Sequence, residues 1–408
     1  MCKTSGVRRR LTLVLLTVAT ATICPAIAAG QTPADLPRSA TESQGLIPEP
    51  GLITRLAIFT DRHLGKVDLT NGFYIDTGNL MLGTGWLAAG PGYRHWYSRD
   101  HVFIDASASI STNNSGRAHA RFELPRLARS RVGFGLQGRW QDFRNLDYYN
   151  VGPASTTDQA GTYRLESKQL AGYLTLRPVR WLAVTGELGW LSATFAATDR
   201  TSSPSGHRRF VPASVSLGID SRDFPSHPTR GILARAVAVH YADRDGGAYS
   251  VTQYESDGAV FVPIAGSRVI VALHGWAVAS DDSDAVPFYL QPTIGGGNTL
   301  RSYANYRFRD RNMLVTNSEV RFALTTHMDL AAFADIGGVA PRFSDIEMNK
   351  RSYGMGVRLH TRRMTFASLD VANGREGWRA LFSLNDSFDL TRVMRRAIVG
   401  PTSWGIRP

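Results

Sequence analysis

Beyond Asn71, apolar and polar residues alternate with a period of two over most of the chain. Between 131 and 141, Val132, Phe134, Leu136 and Trp140 share one face, while Gly133, Gly135, Gln137, Arg139 and Gln141 share the other. The same split sets Val102, Ile104, Ala106, Ala108 and Ile110 against Asp105, Ser107 and Ser109. It sets Val211, Ala213, Val215, Leu217 and Ile219 against Ser214, Ser216 and Asp220, and Tyr353, Met355, Val357 and Leu359 against Gly354, Gly356, Arg358 and His360. Successive side chains of a strand point to opposite faces, so each stretch predicts a strand with one greasy and one wet side. No stretch beyond Asn71 keeps helical spacing, and no apolar run there approaches the roughly 20 residues of a membrane helix.

A half-buried strand of a soluble sandwich alternates too. Strand length, turn length and aromatic placement discriminate. Strands are predicted at about 82–97, 101–111, 115–124, 131–142, 162–177, 181–193, 211–220, 231–243, 249–263, 267–279, 313–325, 328–337, 351–361, 363–372 and 377–388. Connections 178–180, 264–266, 326–327 and 362 are tight, whereas 143–161, 194–210, 280–312 and 338–350 are long, and aromatics such as Trp96, Trp140, Trp181 and Trp276 fall near strand ends. Backbone groups in lipid must all pair, which a closed sheet achieves, with short turns on the periplasmic side and long loops outside. The fold class predicted is therefore all-β, a closed antiparallel transmembrane β-barrel.

Counting strands back from the C-terminus under that rule leaves 82–97 running inward, so one further strand has to bring the chain outward. It lies within 69–78, or the segment around Gly90-Pro91-Gly92 is a turn that makes 82–97 a hairpin. Either gives about 16 strands with both ends periplasmic.

The N-terminus supports export. Lys3 and Arg8–Arg10 precede an apolar run from Leu11 to about Ile23 and the small residues Ala26-Ile27-Ala28-Ala29, the order of a cleavable signal peptide at 1–28. Both cysteines, Cys2 and Cys24, lie in that segment, which leaves no thiol for a disulfide or a nucleophile. Cys24 follows the bulky Ile23 where a lipid-attachment signal carries a small residue, so lipidation is not expected. Removing four basic residues from the formal +12 leaves +8. For an exported protein this points to outer-membrane lipid, lipopolysaccharide phosphates or periplasmic client proteins as partners, and not to nucleic acid. Residues 29–70 read as a periplasmic linker, 71–388 as the barrel, and 389–408 as a basic periplasmic tail.

Within the longest loop, the chain runs PFYLQPTIGGGNTLRSYANYRFRD from Pro287 to Asp310. Gly295 and Gly296 followed by Leu300, Arg301, Ser302 and Tyr303 resemble the loop signature of the BamA/TamA-type outer-membrane assembly barrels, or bacterial surface antigens. Ser302 stands where that family has glycine. IDSRDFPSHPTRG at 219–231, NSEVRF at 317–322, FADIGGVA at 333–340 and the last strands agree with it as well, so the resemblance covers roughly 80–388. It implies a long extracellular loop folded into the lumen, with the loop arginine held by acidic residues on the next two strands. Alternation, read without the family, places Glu319, Arg321 and Asp335 on the inner face, and an ion pair of Arg301 with Glu319, Asp335 or both is expected.

Other constellations carry less. Asp281, Asp282 and Asp284 form an acidic loop, and nothing in their spacing fixes a calcium geometry. Gly295-Gly296-Gly297-Asn298 lacks the lysine and helix of a phosphate loop. The ten histidines show no ligand spacing, and no serine sits at a nucleophile elbow. Asp220, Arg222, Asp223 and Arg230 are expected to form a periplasmic turn network. No catalytic residue, metal or cofactor is assigned, and an enzyme is not expected.

The resemblance implies assistance in inserting or translocating proteins at the outer membrane. The segment 29–70 is too short for a POTRA domain of that family, so a separate POTRA-bearing partner is expected. The alternative is a passive pore or structural surface barrel without insertase activity.

Overall fold

The computed structural model describes residues 47–63, 71–78 and 88–383, apart from positions 99, 199–204, 225, 265, 267, 282–285, 298 and 362–363. The proposed signal peptide, Asn298 and the tail 389–408 lie outside the described residues.

Among the described residues, eighteen strands follow one α-helix. They are β1 (Gly72–Gly78), β2 (Ala88–Tyr97), β3 (Val102–Ser111), β4 (Gly116–Leu127), β5 (Val132–Tyr148), β6 (Gly161–Val179), β7 (Leu182–Ala197), β8 (Gly206–Asp220), β9 (Gly231–Asp243), β10 (Val251–Pro263), β11 (Val269–Ser280), β12 (Thr293–Ile294), β13 (Phe308–Arg309), β14 (Asn312–Ala323), β15 (Met328–Ala340), β16 (Lys350–His360), β17 (Thr365–Gly374) and β18 (Gly377–Ser383). Sixteen form one antiparallel sheet in which every strand pairs with its neighbour in sequence, β14 following β11 directly. β12 and β13 make a small ribbon within the intervening loop. Among the described residues β1 pairs only with β2, and β18 only with β17.

The extra strand is β1, within the predicted 69–78. Gly90-Pro91-Gly92 does not turn: it lies inside β2, opposite Asp76, Ile75 and Tyr74. Gly90 is needed there because a Cβ would overlap the Ala108 carbonyl, and Gly92 because the Tyr74 ring lies against it. Of the predicted strand 82–97, β2 covers Ala88–Tyr97, and 79–87 lie outside the described residues. Several strands run further than alternation suggested. β5 reaches Tyr148, β7 reaches Ala197 and β8 starts at Gly206, which shortens the loops expected at 143–161 and 194–210.

The two faces of the sheet are inverted relative to a soluble protein. Leu188, Val215 and Tyr353 are 62%, 60% and 59% exposed, while Asp105, Glu187, Arg235, Glu319, Arg321 and Arg358 are buried on the other face. Covering such an apolar band returns roughly 25 cal/mol per Å². Inner-face charges pair with one another, as in Arg94–Asp105 at 3.0 Å and Arg117–Asp76 at 2.9 Å.

Part of the predicted linker is helical. α1 (Gly51–His63) opens with the Pro50 carbonyl accepting from the amides of Ile53 and Thr54, and Ala57 and Thr60, three apart on one face, are buried. The segment before it docks onto the β14–β15 turn. The Ile47 amide donates to the Leu324 carbonyl, and Glu49 accepts from the His327 amide at 2.8 Å and meets its Nδ1 at 2.9 Å.

Candidate functional site: the Arg301 cluster

The loop between β11 and β14 returns onto the buried, polar face of the sheet. Its path is set by two glycines in the left-handed half of backbone space, Gly295 at φ +116° and Gly296 at φ +91°, where other residues are strained. A Cβ on Gly295 would also overlap the Ala304 carbonyl. The turn they start is closed by its own backbone. The Gly296 amide donates to the carbonyls of Leu300 and Tyr303, and the Gly295 amide to Thr299 Oγ1 at 2.8 Å. Leu300 and Tyr303 are buried with Ile294, Phe308, Trp276, Met313, Val315 and Val339. This apolar footing leaves Arg301 aimed at the sheet.

Arg301 is 2% exposed. Its Nε and backbone amide each donate to Asp335 Oδ2 at 3.1 Å, its Nη2 to Asp335 Oδ1 at 2.8 Å, and its Nη1 to Glu319 Oε2 at 2.9 Å. Asp370 Oδ2 stands 3.7 Å from Nη1. The guanidinium also lies 3.4 Å from the centroid of the Phe333 ring, where the ring quadrupole favours a cation. Such a planar fork satisfies both oxygens of Asp335 and still reaches a second carboxylate, which a lysine cannot do.

Glu319 and Asp335, both predicted to face inward, thus meet the predicted arginine. Three participants were not foreseen in this role. Arg321 Nε donates to Glu319 Oε1 at 2.8 Å, Arg358 Nη2 donates to Glu319 Oε2 at 2.8 Å, and Arg358 Nη1 donates to Asp370 Oδ1 at 2.5 Å. The arginines 301, 321 and 358 therefore face the carboxylates 319, 335 and 370, so the charges match in number. Formal balance with direct hydrogen bonding is what makes burial of such a cluster tolerable. Asn317 extends it, donating to Asp335 Oδ1 at 2.9 Å and to the Thr299 carbonyl at 2.6 Å.

Ser302 is accommodated by its surroundings. Its amide donates to Ser352 Oγ at 2.9 Å, and its hydroxymethyl group rests against the Cα of Gly374, where a Cβ would overlap it. The glycine the family signature has at 302 is matched here by open space at 374.

The loop touches strands far apart in the sheet. Arg307 donates to Glu376, between β17 and β18, at 2.5 Å and to the Ser155 carbonyl, between β5 and β6, at 2.9 Å. Phe288 packs edge-on against Tyr148 of β5 and Tyr163 of β6, and Phe195 of β7 lies 5.4 Å away. Arg379 of β18 donates to the Tyr303 carbonyl at 2.7 Å.

The predicted turn residues come together separately, after β8. Arg222 donates to Asp220 through Nε at 3.0 Å and Nη2 at 3.1 Å. Asp223 accepts from the Thr229 amide at 3.0 Å and hydroxyl, and Arg230 joins through its backbone amide at 3.4 Å. Asp281 accepts from the Thr252 amide at 2.8 Å, while Asp282 and Asp284 lie outside the described residues.

Residues 102–374 match the Omp85 superfamily domain. No curated protein sequence matches the chain. Among solved structures, it is similar to BamA from Haemophilus ducreyi lacking POTRA domains 1–3, with a TM-score of 0.60, 13% identity and coverage of 77% of this chain and 70% of that one. It is also similar to CdiB from Escherichia coli (TM-score 0.52, 14% identity, 78% and 59% covered) and CdiB from Acinetobacter baumannii (0.51, 15%, 77% and 59%). The chain thus spans about three-fifths of each CdiB chain, and at these identities the likeness is one of fold.

Proposed function

The chain belongs to the Omp85 superfamily, and from that premise we propose that its sheet closes into a sixteen-stranded outer-membrane barrel, plugged by the loop anchored at Arg301, that assists insertion or translocation of proteins at the outer membrane. One observation carries the architectural half. A flat sheet cannot let one side chain, Arg307, bond to segments following β5 and β17, whereas a barrel brings those ends to one mouth and the loop into its lumen. Open sheet edges are not tolerated in hydrocarbon, so β1 and β18 are the strands that must meet.

That seam supports the functional half. Among the described residues each partner contributes seven, and Phe73, Ile75, Trp378 and Phe382 are exposed along them. β1 and β18 are the first and last strands of the sheet and no turn joins them, so their pairing is the part of the wall that opens most readily, and an opened strand edge templates an incoming strand by backbone hydrogen bonding. Glu319 and Asp335 anchor the plug on β14 and β15, four and three strands from β18 in the sheet order, and Arg379 of β18 holds the Tyr303 carbonyl, so a movement of β18 at the seam is felt by the plug. The reading assigns the chain no reaction chemistry, and its partners are outer-membrane lipid and periplasmic client proteins.

Depleting the protein and quantifying the outer-membrane proteome tests the role. Loss of other barrels, or of one exported protein, is the expected result. An unchanged proteome contradicts it and favours a passive or structural barrel.

A further inference from the structure

Ten residues, 221–230, join β8 to β9 at the end of the sheet where the other described connections are short. This segment reaches across to the start of β17. The Thr365 amide donates to the Ser226 carbonyl at 3.0 Å, five intervening strands separating β9 from β17 in the sheet order. At the crossing, His227 from the strap, Asp329 from β15 and His360 from β16 are all buried, with one ligand atom from each lying within 4.8 Å of the others. Sequence spacing hid them because they come from three separate segments.

Proton accounting is what singles out this trio. His360 Nδ1 lies 3.1 Å from the Thr361 carbonyl, which can only accept, so Nδ1 carries the hydrogen. A neutral His360 therefore presents a bare Nε2 to Asp329 Oδ1 at 3.2 Å, two lone pairs facing each other unless a positive charge lies between them. His227 repeats the pattern: Nδ1 sits 3.0 Å from Thr365 Oγ1, and Nε2 faces Asp329 Oδ2 at 3.9 Å, too far for a hydrogen bond. A second partner on Nδ1 with Nε2 free is the arrangement that orients metal-ligating histidines. A proton on His360 would answer one of these contacts, and it would place a cation against the His227 ring stacked 4.0 Å away. A metal ion answers both.

We propose that His227, His360 and Asp329 bind a single zinc ion, with a water as fourth ligand, and that the ion clips the 221–230 strap across this end of the barrel. Two imidazoles and a carboxylate suit zinc, whose bonds of about 2.0–2.2 Å space tetrahedral ligands by about 3.4 Å. Binding therefore draws the three together and turns the stacked rings out of parallel. Burial above all, with the nearby Arg321 charge, pushes the His227 imidazole below its ordinary value, and the neutral imidazole is the form that ligates. Arg321 is also the charge that opposes a cation here, and its salt bridge to Glu319 at 2.8 Å offsets it.

The test uses the folded, tag-free protein in detergent, stripped with a chelator and titrated with Co²⁺, then Zn²⁺. One equivalent of Co²⁺ giving the intense visible bands of a tetrahedral ion, displaced by Zn²⁺, is expected. Affinity should fall at least tenfold in His227→Gln and in Asp329→Asn, and roughly ten- to hundred-fold in Thr365→Val, which removes only the supporting hydroxyl. Zinc should slow proteolysis within 221–230 in the parent and not in His227→Gln. If no such band forms, or the parent and whichever variants remain folded by heat-modifiability bind the ions equally, the trio is an ion pair of protonated His360 with Asp329 beneath a neutral His227, and the proposal is wrong.

Discussion

Arg301 satisfies three acceptor oxygens and a ring face from one loop position, so its removal does more than delete an attraction. Arg301→Ala leaves Asp335 without its bidentate donor and Glu319 short of one cation, both in a buried setting. Breaking a buried pair this way costs about 3–5 kcal/mol, read as a lower denaturant midpoint in gel heat-modifiability. Arg301→Lys should fall between, since an ammonium keeps the charge and loses the fork. Much of this cluster was legible in the sequence. Period-two alternation puts Glu319, Asp335, Arg321 and Arg358 on one face whatever the fold. What it cannot supply is which inward charges meet, because that depends on register and stagger across β14 to β17. Asp370 and the ring of Phe333 entered the cluster through that register, and Gly374 became the space for Ser302 in the same way.

At the scale of elements, the strands were readable where one face meets lipid and the other water, as in β3, β14 and β16. The signal faded at the outer ends of β5, β7 and β8. In β5 the register shifts between Phe143 and Leu146 and breaks the period of two, and Phe143, Leu146, Tyr148, Phe195 and Phe210 pack in a cluster with Phe288 of the loop, a setting that the alternation of a lipid-facing strand does not foretell. Helix α1 escaped notice because only Ala57 and Thr60 among its described side chains are buried, too few to print a period on the sequence. Its attachment runs through Glu49. Burial opposes the charge of this carboxylate, but hydrogen bonds from Thr54 and His327 outweigh it and hold its pKa below the ordinary carboxylate value. A group lowered on docking contributes its stabilisation above the free carboxylate's pKa and loses it as pH falls through the lowered value. Limited proteolysis of 47–63 should therefore be unaffected by pH near neutrality and accelerate only in acid below about pH 4.5, and Glu49→Gln should cleave at neutral pH as the parent does in acid.

For the whole molecule, the proposal of a closed barrel with its lumen filled rests on an exposed apolar face, a buried polar face and a loop that touches β5, β6, β7, β14, β15 and β18. Alternation and turn lengths were enough to anticipate sixteen strands and ends on one side. The reach of the loop was not, since Arg307 finds Ser155 and Glu376 only once the sheet has curled. The most direct test is the single-channel conductance of the purified protein in planar bilayers, beside Arg301→Ala and a chain with residues 286–310 replaced by a short glycine-serine linker, each first checked for folding by heat-modifiability. The plugged barrel predicts small, intermittent currents for the parent, more frequent openings for Arg301→Ala, and a large steady pore for the loop deletion. A large steady pore in the parent, or a deletion that conducts no better than the parent, would contradict it.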